Sequence, residues 1–479
     1  MKRLASVDDL PASCDLAIIG AGPAGLAAAA AAAECGLHVL VLDENPEPGG
    51  QIYRGLGAAP ASRRQILGRD YERGDSLLSG MLGSTASYLS GATVWMASRD
   101  LEIGVSKDGM SRIIGARRIL LATGALERPF PILGWTLPGV LTAGAAQGLL
   151  KSSGMVPQGP FVLAGTGPLL WLLASQLIAA EAPPLAILDT TLLATRSSVV
   201  GALPAFLASP YLLKGLRLMR SVRRKVRVIG GVTELRALGE GHLRSVAYRV
   251  GRGKTETINV EGLFLHQGIA PNVNMASAAG CDLAWDRVQL CWKPVTDSWG
   301  RSSVPGISIA GDGAGISGAE AAAGFGRLCG LDAAARLGRI SEAERDERAL
   351  PARRELSRYA RGRRLLDLMF QPPDTFRRAS PDAIVCRCEE ITGRQVTEIV
   401  ADFGEVGPNQ LKSYLRCGMG PCQGRLCGLT VTEMIAAERN VSPSEVGYYR
   451  LRFPIKPVTL AEIATLPHDD DDVRAVVRG

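Results

Sequence analysis

Leu16-Ala17-Ile18-Ile19-Gly20-Ala21-Gly22-Pro23-Ala24-Gly25 opens the most informative stretch of the chain, and His38-Val39-Leu40-Val41-Leu42-Asp43-Glu44 closes it. The four apolar residues before Gly20 read as a buried strand. Behind the G-x-G-x-x-G turn, an alanine-rich segment runs to about Cys35 and reads as a closely packed helix, stopped by Gly36. A second apolar strand follows and ends in two acids. Each piece has a physical task. Gly20 makes the tight turn, Gly22 lets bare backbone approach a pyrophosphate, and Gly25 lets helix and strand touch. The helix N-terminus, entered through Pro23 and Ala24, faces the anion. Asp43 and Glu44, 23 and 24 residues after Gly20, are placed to accept from ribose hydroxyls. The stretch points to an α/β fold with a parallel sheet and a dinucleotide site.

Working outward, the same pattern recurs. Phe161 to Ala164 runs into Gly165-Thr166-Gly167-Pro168-Leu169-Leu170, then a helix, then the strand Leu185 to Leu188 ending at Asp189. The apolar run from Phe161 to Ala180 is therefore strand, turn and helix and not a membrane span, because Gly-Thr-Gly-Pro and Gln176 interrupt it. This second motif is poorer, since Leu170 stands where the third glycine belongs. Asp189 would suit the ribose diol of NAD better than NADP. The residues leave open whether the second fold binds NAD(P) or is inherited without a ligand.

Three further segments separate the first site from an ordinary dehydrogenase. Gly49-Gly50-Gln51 follows the acids, Ile119 to Ala122 is an apolar strand ending in Thr123-Gly124, and Ile307 to Ala310 is another, ending in Gly311-Asp312. The set resembles the two-dinucleotide-domain flavoproteins. That resemblance implies FAD at the first site, with Asp312 holding the ribityl chain and the following helix aimed at the flavin. The plain alternative for Asp312 is a helix N-cap. The expected order is an FAD domain over 1–150, an inserted NAD(P)-type fold over 151–265, the FAD domain's return over 266–340 and a linker over 341–380. A [2Fe–2S] domain over 381–445 and a charged tail over 446–479 complete it. Neither C-x-x-C nor C-x-x-x-x-C occurs before the C-terminal cysteines, so disulfide reduction beside the flavin is not expected.

Composition excludes other classes. The 479 residues are 46% hydrophobic, 21% charged and only 5% aromatic, which rules out disordered and fibrous chains and predicts a core of Ala, Leu, Val and Ile. The net charge of +7 is mild for this length. Two basic runs, Arg220 to Arg227 and Arg353 to Arg364, carry no stacking aromatics beyond Tyr359 and read as solvated or subunit-facing, with an anionic partner surface as the alternative. The first 14 residues hold no apolar signal segment, so a cytoplasmic chain is expected.

Ten cysteines are present, and five of them, Cys386, Cys388, Cys417, Cys422 and Cys427, fall within 42 positions. In a reducing compartment such a cluster is more often metal-binding than disulfide-forming. Two close pairs, Cys386-Arg-Cys388 and Cys422-Gln-Gly-Arg-Leu-Cys427, stand 33 residues apart and could bring four thiolates to one point. Zinc is one occupant, although C-x-C is less usual for it than C-x-x-C. The arrangement also resembles the bacterioferritin-associated-ferredoxin-like domain, which implies a [2Fe–2S] cluster on those four cysteines. Cys417 is then a neighbour without ligand duty that could substitute.

Longer runs carry a wider resemblance. Gly124-Ala125-Leu126-Glu127-Arg128-Pro129-Phe130-Pro131, then Gly134-Trp135 and Pro138-Gly139-Val140, form one part; Leu265-His266-Gln267-Gly268 with Pro271-Asn272 form another. Val385 to Glu390 and Gly418 to Arg425 complete it. Together they resemble the larger flavoprotein subunit of the opine oxidases, the hydrogen cyanide synthase B subunit and D-hydroxyproline dehydrogenase. The alpha subunit of heterotetrameric sarcosine oxidase and the larger flavoprotein component of anaerobic glycerol-3-phosphate dehydrogenase are more distantly similar. The resemblance implies that a separate beta flavoprotein subunit, shaped like D-amino-acid oxidase, oxidises the amine. FMN lies between subunits in some members, and a small ferredoxin-like gamma subunit is a further partner. This chain would receive electrons and pass them on. Its four histidines, His38, His242, His266 and His468, show no acid–base constellation, and His266 on its apolar strand reads as a core residue. The rival expectations are a self-sufficient NAD(P)H-dependent reductase and a scaffold with vestigial nucleotide folds.

Overall fold

A computed structural model of the chain describes residues 1–191, 204, 206–207, 209, 211–404 and 406–467. His468 and the four aspartates expected in a frayed tail lie outside them.

The strand Ser13–Ile19, the helix Pro23–Glu34 and the strand Val39–Asp43 form where the opening stretch places them. Ser13–Ile19 pairs in parallel with Val39–Asp43 on one side and with Met110–Leu121 on the other. Ile307–Ile309 returns in parallel to the far edge of Met110–Leu121, with Ile307 opposite Ile119. The alanine run has a purpose that the packing reveals. A Cβ at Gly326 would lie 2.0 Å from the Ala24 carbonyl oxygen, and one at Gly330 would lie 2.6 Å from that of Ala28. The helix Ala319–Arg336 therefore rests backbone on backbone against Pro23–Glu34, and only alanine and glycine fit between them.

A second parallel sheet runs in the order Arg227–Gly230, Ala186–Asp189, Phe161–Thr166, Gly262–Gln267 and Val140–Thr142. Its edge strand Val140–Thr142 precedes residue 151, and its central strand Gly262–Gln267 runs past 265, so this unit begins and ends beyond the expected bounds. The edge strand is three residues long and too short to announce itself by pattern. Two short antiparallel strands, Ala125–Glu127 and Ile269–Pro271, join the two units side by side. No helix among the described residues is long and apolar enough to cross a membrane.

The expected linker is largely the helix Glu342–Ala360. Its Arg345 is buried against Asp332, and Arg345 and Arg353 stack over Trp299 at 4.1 and 4.3 Å from the ring centre. A small helical unit follows. Val385, Val396, Leu411, Val431 and Ile435 share its core with Cys386, Cys417 and Cys427. Tyr449 and Leu451 belong to that core too, so the unit extends past residue 445. Beyond it the chain is anchored on the first unit, where Ile455 donates its amide to the Trp95 carbonyl at 3.0 Å.

Candidate functional site

The first glycine turn opens on a cavity of about 740 Å³, within the usual range for a bound cofactor. Gly20 has φ +107°, and a Cβ there would meet the Ala122 carbonyl oxygen at 2.4 Å. A Cβ on Gly25 would lie 1.9 Å from the Gly20 carbonyl oxygen. These two glycines are required by the protein itself. Gly22 is different: its φ is −77°, and the nearest atom to an added Cβ is the Gly50 Cα at 3.8 Å. A Cβ at Gly22 would therefore meet only ordinary van der Waals contact, and the residue lines the cavity.

The other expected residues also line this cavity: Asp43, Glu44, Gly50, Gln51, Thr123, Gly124, Gly311 and Asp312, with Pro23 and Ala24 at the helix start. Buried Asp43 accepts from the Ala21 amide and from the Asn45 amide and side chain at 2.7 and 2.8 Å, which holds the turn and leaves it little further acceptor capacity. Glu44 is ion-paired with Lys456. A Cβ on Gly50 would stand 2.7 Å from the Gly22 Cα, so the two glycines face each other across the turn. Asp312 is not the N-cap of the following helix, which is Gly318. One of its oxygens accepts from the amides of Ser317 and Gly318 at 2.8 and 3.0 Å.

Residues that the sequence reading did not single out complete the walls. Arg425 sits inside the Cys422–Cys427 loop and lines the dinucleotide cavity, its guanidinium donating to the Ile455 carbonyl at 2.8 Å. Asn274, which does not line the cavity, donates its side-chain amide to the Gln423 carbonyl of the same loop at 2.9 Å. Glu127 lines the cavity and touches His266. All of these except Asn274 belong to the longer runs quoted above, but their spacing is irregular and no local pattern marks them. Behind Gln51 lies Lys151, whose buried ammonium donates to the Gln51 carbonyl and the Gln147 side chain at 3.0 and 2.9 Å. Burial and the nearby Arg54 cation push its pKa down to about 7.

The cysteine unit meets the flavin side through a buried charge cluster. Arg128 and Glu433 are both 4% exposed and lie 3.5 Å apart, and Arg377 pairs with the other Glu433 oxygen. Arg128 also donates to the carbonyls of Gln289 and Leu290. Breaking such a desolvated set from one side would leave an uncompensated charge.

The thiols group differently from the expected quartet. The sulfurs of Cys386, Cys417 and Cys427 all lie within 4.8 Å of one another, all buried. Cys388 hydrogen-bonds instead to the side chain and backbone of Cys422. Cys417 is drawn inward because the helix Pro408–Leu415 ends in a left-handed residue, Arg416. Hydrogen bonds from Cys417 and then Cys427 hold the Cys386 thiol well below its ordinary pKa, and donating to Cys386 raises that of Cys427. The Tyr449 hydroxyl lies 3.6 Å from the Cys417 sulfur and 3.9 Å from that of Cys427. Gly418 and Gly424 are needed here, as a Cβ on either would strike the Tyr449 ring at 2.6 and 2.7 Å.

At the second glycine turn, Leu170 is fully buried, and a Cβ on Gly165 would lie 1.6 Å from the His266 carbonyl oxygen. Asp189 accepts from the Thr191 amide at 2.9 Å.

Comparison with known proteins agrees with this anatomy. Residues 14–326 match the family described as pyridine nucleotide-disulphide oxidoreductase, and residues 384–466 match the sarcosine oxidase A3 domain. The opine oxidase A-subunit of Agrobacterium tumefaciens (strain Ach5) is 48% identical over 486 aligned positions, covering 99% of this chain and 96% of that one. The chain belongs to the opine oxidase A-subunit family. It is a flavoprotein-type oxidoreductase of the pyridine nucleotide-disulphide class. Hydrogen cyanide synthase subunit HcnB from Pseudomonas aeruginosa is a more distant relative, 30% identical over 94% of this chain and 98% of its own. Among solved structures, L-proline dehydrogenase from P. horikoshii shares the fold with a TM-score of 0.71 at 19% identity, covering 96% of this chain and 80% of that one. No cysteine stands among the described residues that line the first cavity. Gly144 and Ala145, not a cysteine pair, form its wall at the start of the helix Ala143–Ser153.

Proposed function

We propose that this chain is the electron-carrying subunit of a multi-subunit amine dehydrogenase or oxidase, with FAD in the first cavity and a [2Fe–2S] cluster in the cysteine unit. The donor is an opine or a related D-amino or imino acid. It is oxidised on a partner flavoprotein subunit, and a small ferredoxin-like subunit or interfacial FMN is compatible with the same arrangement. The observation that carries this reading is the Cys422–Cys427 loop. It supplies thiols to the cysteine cluster and Arg425 to the wall of the dinucleotide cavity. Two redox sites that share one loop suit relay between them.

The residues fit both groups. Gly22 leaves room that only a ligand uses, the helix Pro23–Glu34 offers its amides to a diphosphate, and Arg425 forms no ion pair among the described residues and can face one. FAD would accept electrons in pairs and release them singly. For the cluster, Cys386 and Cys427 belong to both candidate sets. The sequence spacing adds Cys388 and Cys422, while the close triad adds Cys417. Amine oxidation also needs a carboxylate-binding group and a proton acceptor set against the substrate, and this reading places them on the partner. A stand-alone NAD(P)H reductase is disfavoured by Leu170.

The test is anaerobic mixing of the purified chain with octopine, nopaline, D-hydroxyproline, sarcosine and glycine, alone and with a co-expressed partner flavoprotein. Flavin and iron–sulfur absorption should both be present and should bleach only with the partner. Useful bleaching by an amine without it would place the substrate site on this chain; rapid bleaching by NADH alone would favour the reductase.

A further inference from the structure

Glu127 on the cavity wall, with His266 behind it, has no part in the relay. Glu127 ends the strand that follows Thr123-Gly124. One of its oxygens accepts from the Gly144 amide at 2.8 Å, in the first turn of the helix Ala143–Ser153; the other lies 2.6 Å from His266 Nδ1. His266 is 3% exposed on the central strand Gly262–Gln267. Its Nε2 faces the second glycine turn, 3.2 Å from where a Cβ on Gly167 would stand. The imidazole is thus clamped between the wall of one nucleotide fold and the turn of the other.

The surroundings isolate this pair. The neighbouring segments 125–127, 140–142, 161–179 and 269–271 hold no titratable side chain other than Glu127. The helix Ala143–Ser153 adds Lys151, which is bonded to Gln51 and Gln147. Arg128 follows Glu127 in sequence but is directed to Gln289, Leu290 and Glu433. The other cavity acids are committed elsewhere: Asp43 to the glycine turn, Glu44 to Lys456 and Asp312 to the Ser317 and Gly318 amides. The ends of the cavity also differ. Gly20, Gly22, Asp43 and Glu44 suit the diphosphate and ribose of a dinucleotide, which leaves the end at Gly124–Glu127 and Gly144–Gly148 for its redox ring.

We propose that Glu127 and His266 are the proton store of the flavin pocket. His266 takes up one proton when the ring gains an electron pair, and Glu127 holds the resulting imidazolium. This inference rests on the FAD assignment above. The balance is simple. A flavin bound there would take up two electrons, derived from the amine oxidised on the partner, with one proton, and would carry one more negative charge. A second proton from solvent converts the His266 imidazole to imidazolium, so the pocket as a whole gains no net charge. When the electrons depart, both protons are released. Histidine is suited to this because its charge changes in the neutral range, and Glu127, only partly buried, connects it to the cavity. His266 acts through Glu127 and is a positioning residue.

The test uses the full-length, FAD-loaded chain and counts protons bound per two electrons, from the pH dependence of the flavin midpoint potential between pH 6 and 8. His266→Gln should lower the count by about one proton relative to the wild type, and Glu127→Gln should do the same by removing the counter-charge. A second measurement is independent of potential. Deuterium exchange at the histidine C2 positions, read by peptide mass spectrometry, should show His266 more protonated in the dithionite-reduced chain than in the oxidised one. Glu127→Gln should abolish that difference. Equal proton counts in the wild type and both variants at full flavin occupancy, or a His266 exchange rate indifferent to reduction, would overturn the proton store and leave the FAD assignment intact. A chain that purifies without flavin would overturn the assignment itself.

Discussion

The two glycine turns, Gly20 to Gly25 and Gly165 to Leu170, share three of six residues and the same strand-to-helix geometry. They do different things. In the first, Gly22 is open and faces a large cavity. In the second, Leu170 fills the helix–strand contact, and Gly167 is the surface on which His266 rests. The difference teaches that a glycine in a fingerprint has two separable reasons to exist. Gly20, Gly25 and Gly165 are demanded by neighbouring backbone, whereas no protein atom demands Gly22, which under the proposed function answers to the cofactor. Only the second kind reports binding.

The contrast can be broken in four ways. Gly25→Leu should have the largest effect, because its Cβ would overlap the Gly20 carbonyl. We expect a loss above about 4 kcal/mol, seen as insoluble or flavin-free protein with early thermal unfolding. Leu170→Ala should cost about 3 kcal/mol by opening a cavity in the second unit, measured as a lower urea midpoint, yet leave flavin content unchanged. If flavin were lost as readily as with Gly25→Leu, the two turns would not be independent. Gly22→Val should leave the unfolding midpoint of the flavin-free chain near the wild-type value while weakening FAD by about a hundredfold in equilibrium dialysis, some 2.7 kcal/mol. Full flavin occupancy in that variant would show that the cofactor does not need bare backbone at Gly22.

The smallest effect concerns Lys151. Its folded pKa of about 7 lies below the value for an exposed lysine, so the unfolded chain binds the extra proton between those two values. Stability from this group therefore rises as pH increases from 7 towards 10 and is lost as pH falls through that window. Lys151→Met removes the dependence. Its urea midpoint should exceed that of the wild type near pH 6 by the equivalent of about 1 kcal/mol and lose that advantage by pH 9.5. A constant difference across the range would mean that the ammonium is not desolvated.

Both nucleotide folds were legible because glycine turns between apolar runs have one good structural solution. The residues expected at the first site follow strand ends, and Gly20, Gly22, Asp43, Thr123, Gly124, Gly311 and Asp312 line the cavity. What escaped was contact across long separations. Glu127 and His266 are 139 residues apart, and no periodicity relates them; His266 on its apolar strand reads as a core residue until its partner is seen. Arg425 was hidden by the cysteines around it. Spacing leaves Cys417 as a neighbour that could substitute, and the backbone turn at Arg416 places its sulfur in the buried triad with those of Cys386 and Cys427.

The wall built from Arg425, Ile455 and Lys456 has a consequence for how the molecule is made. Ribosomal synthesis delivers the glycine turn first and this wall last. At roughly 5–20 residues per second, the 334 residues from Ala122 to Lys456 (456 − 122) take on the order of half a minute. The strand Ile307–Ile309 also arrives late, and the first sheet lacks its neighbour to Met110–Leu121 until then. The cavity is therefore open-sided throughout translation, and secure retention of the cofactor becomes a property of the finished chain. A ribosome stalled or terminated before residue 425 would release a protein with an intact fingerprint and an unclosed pocket.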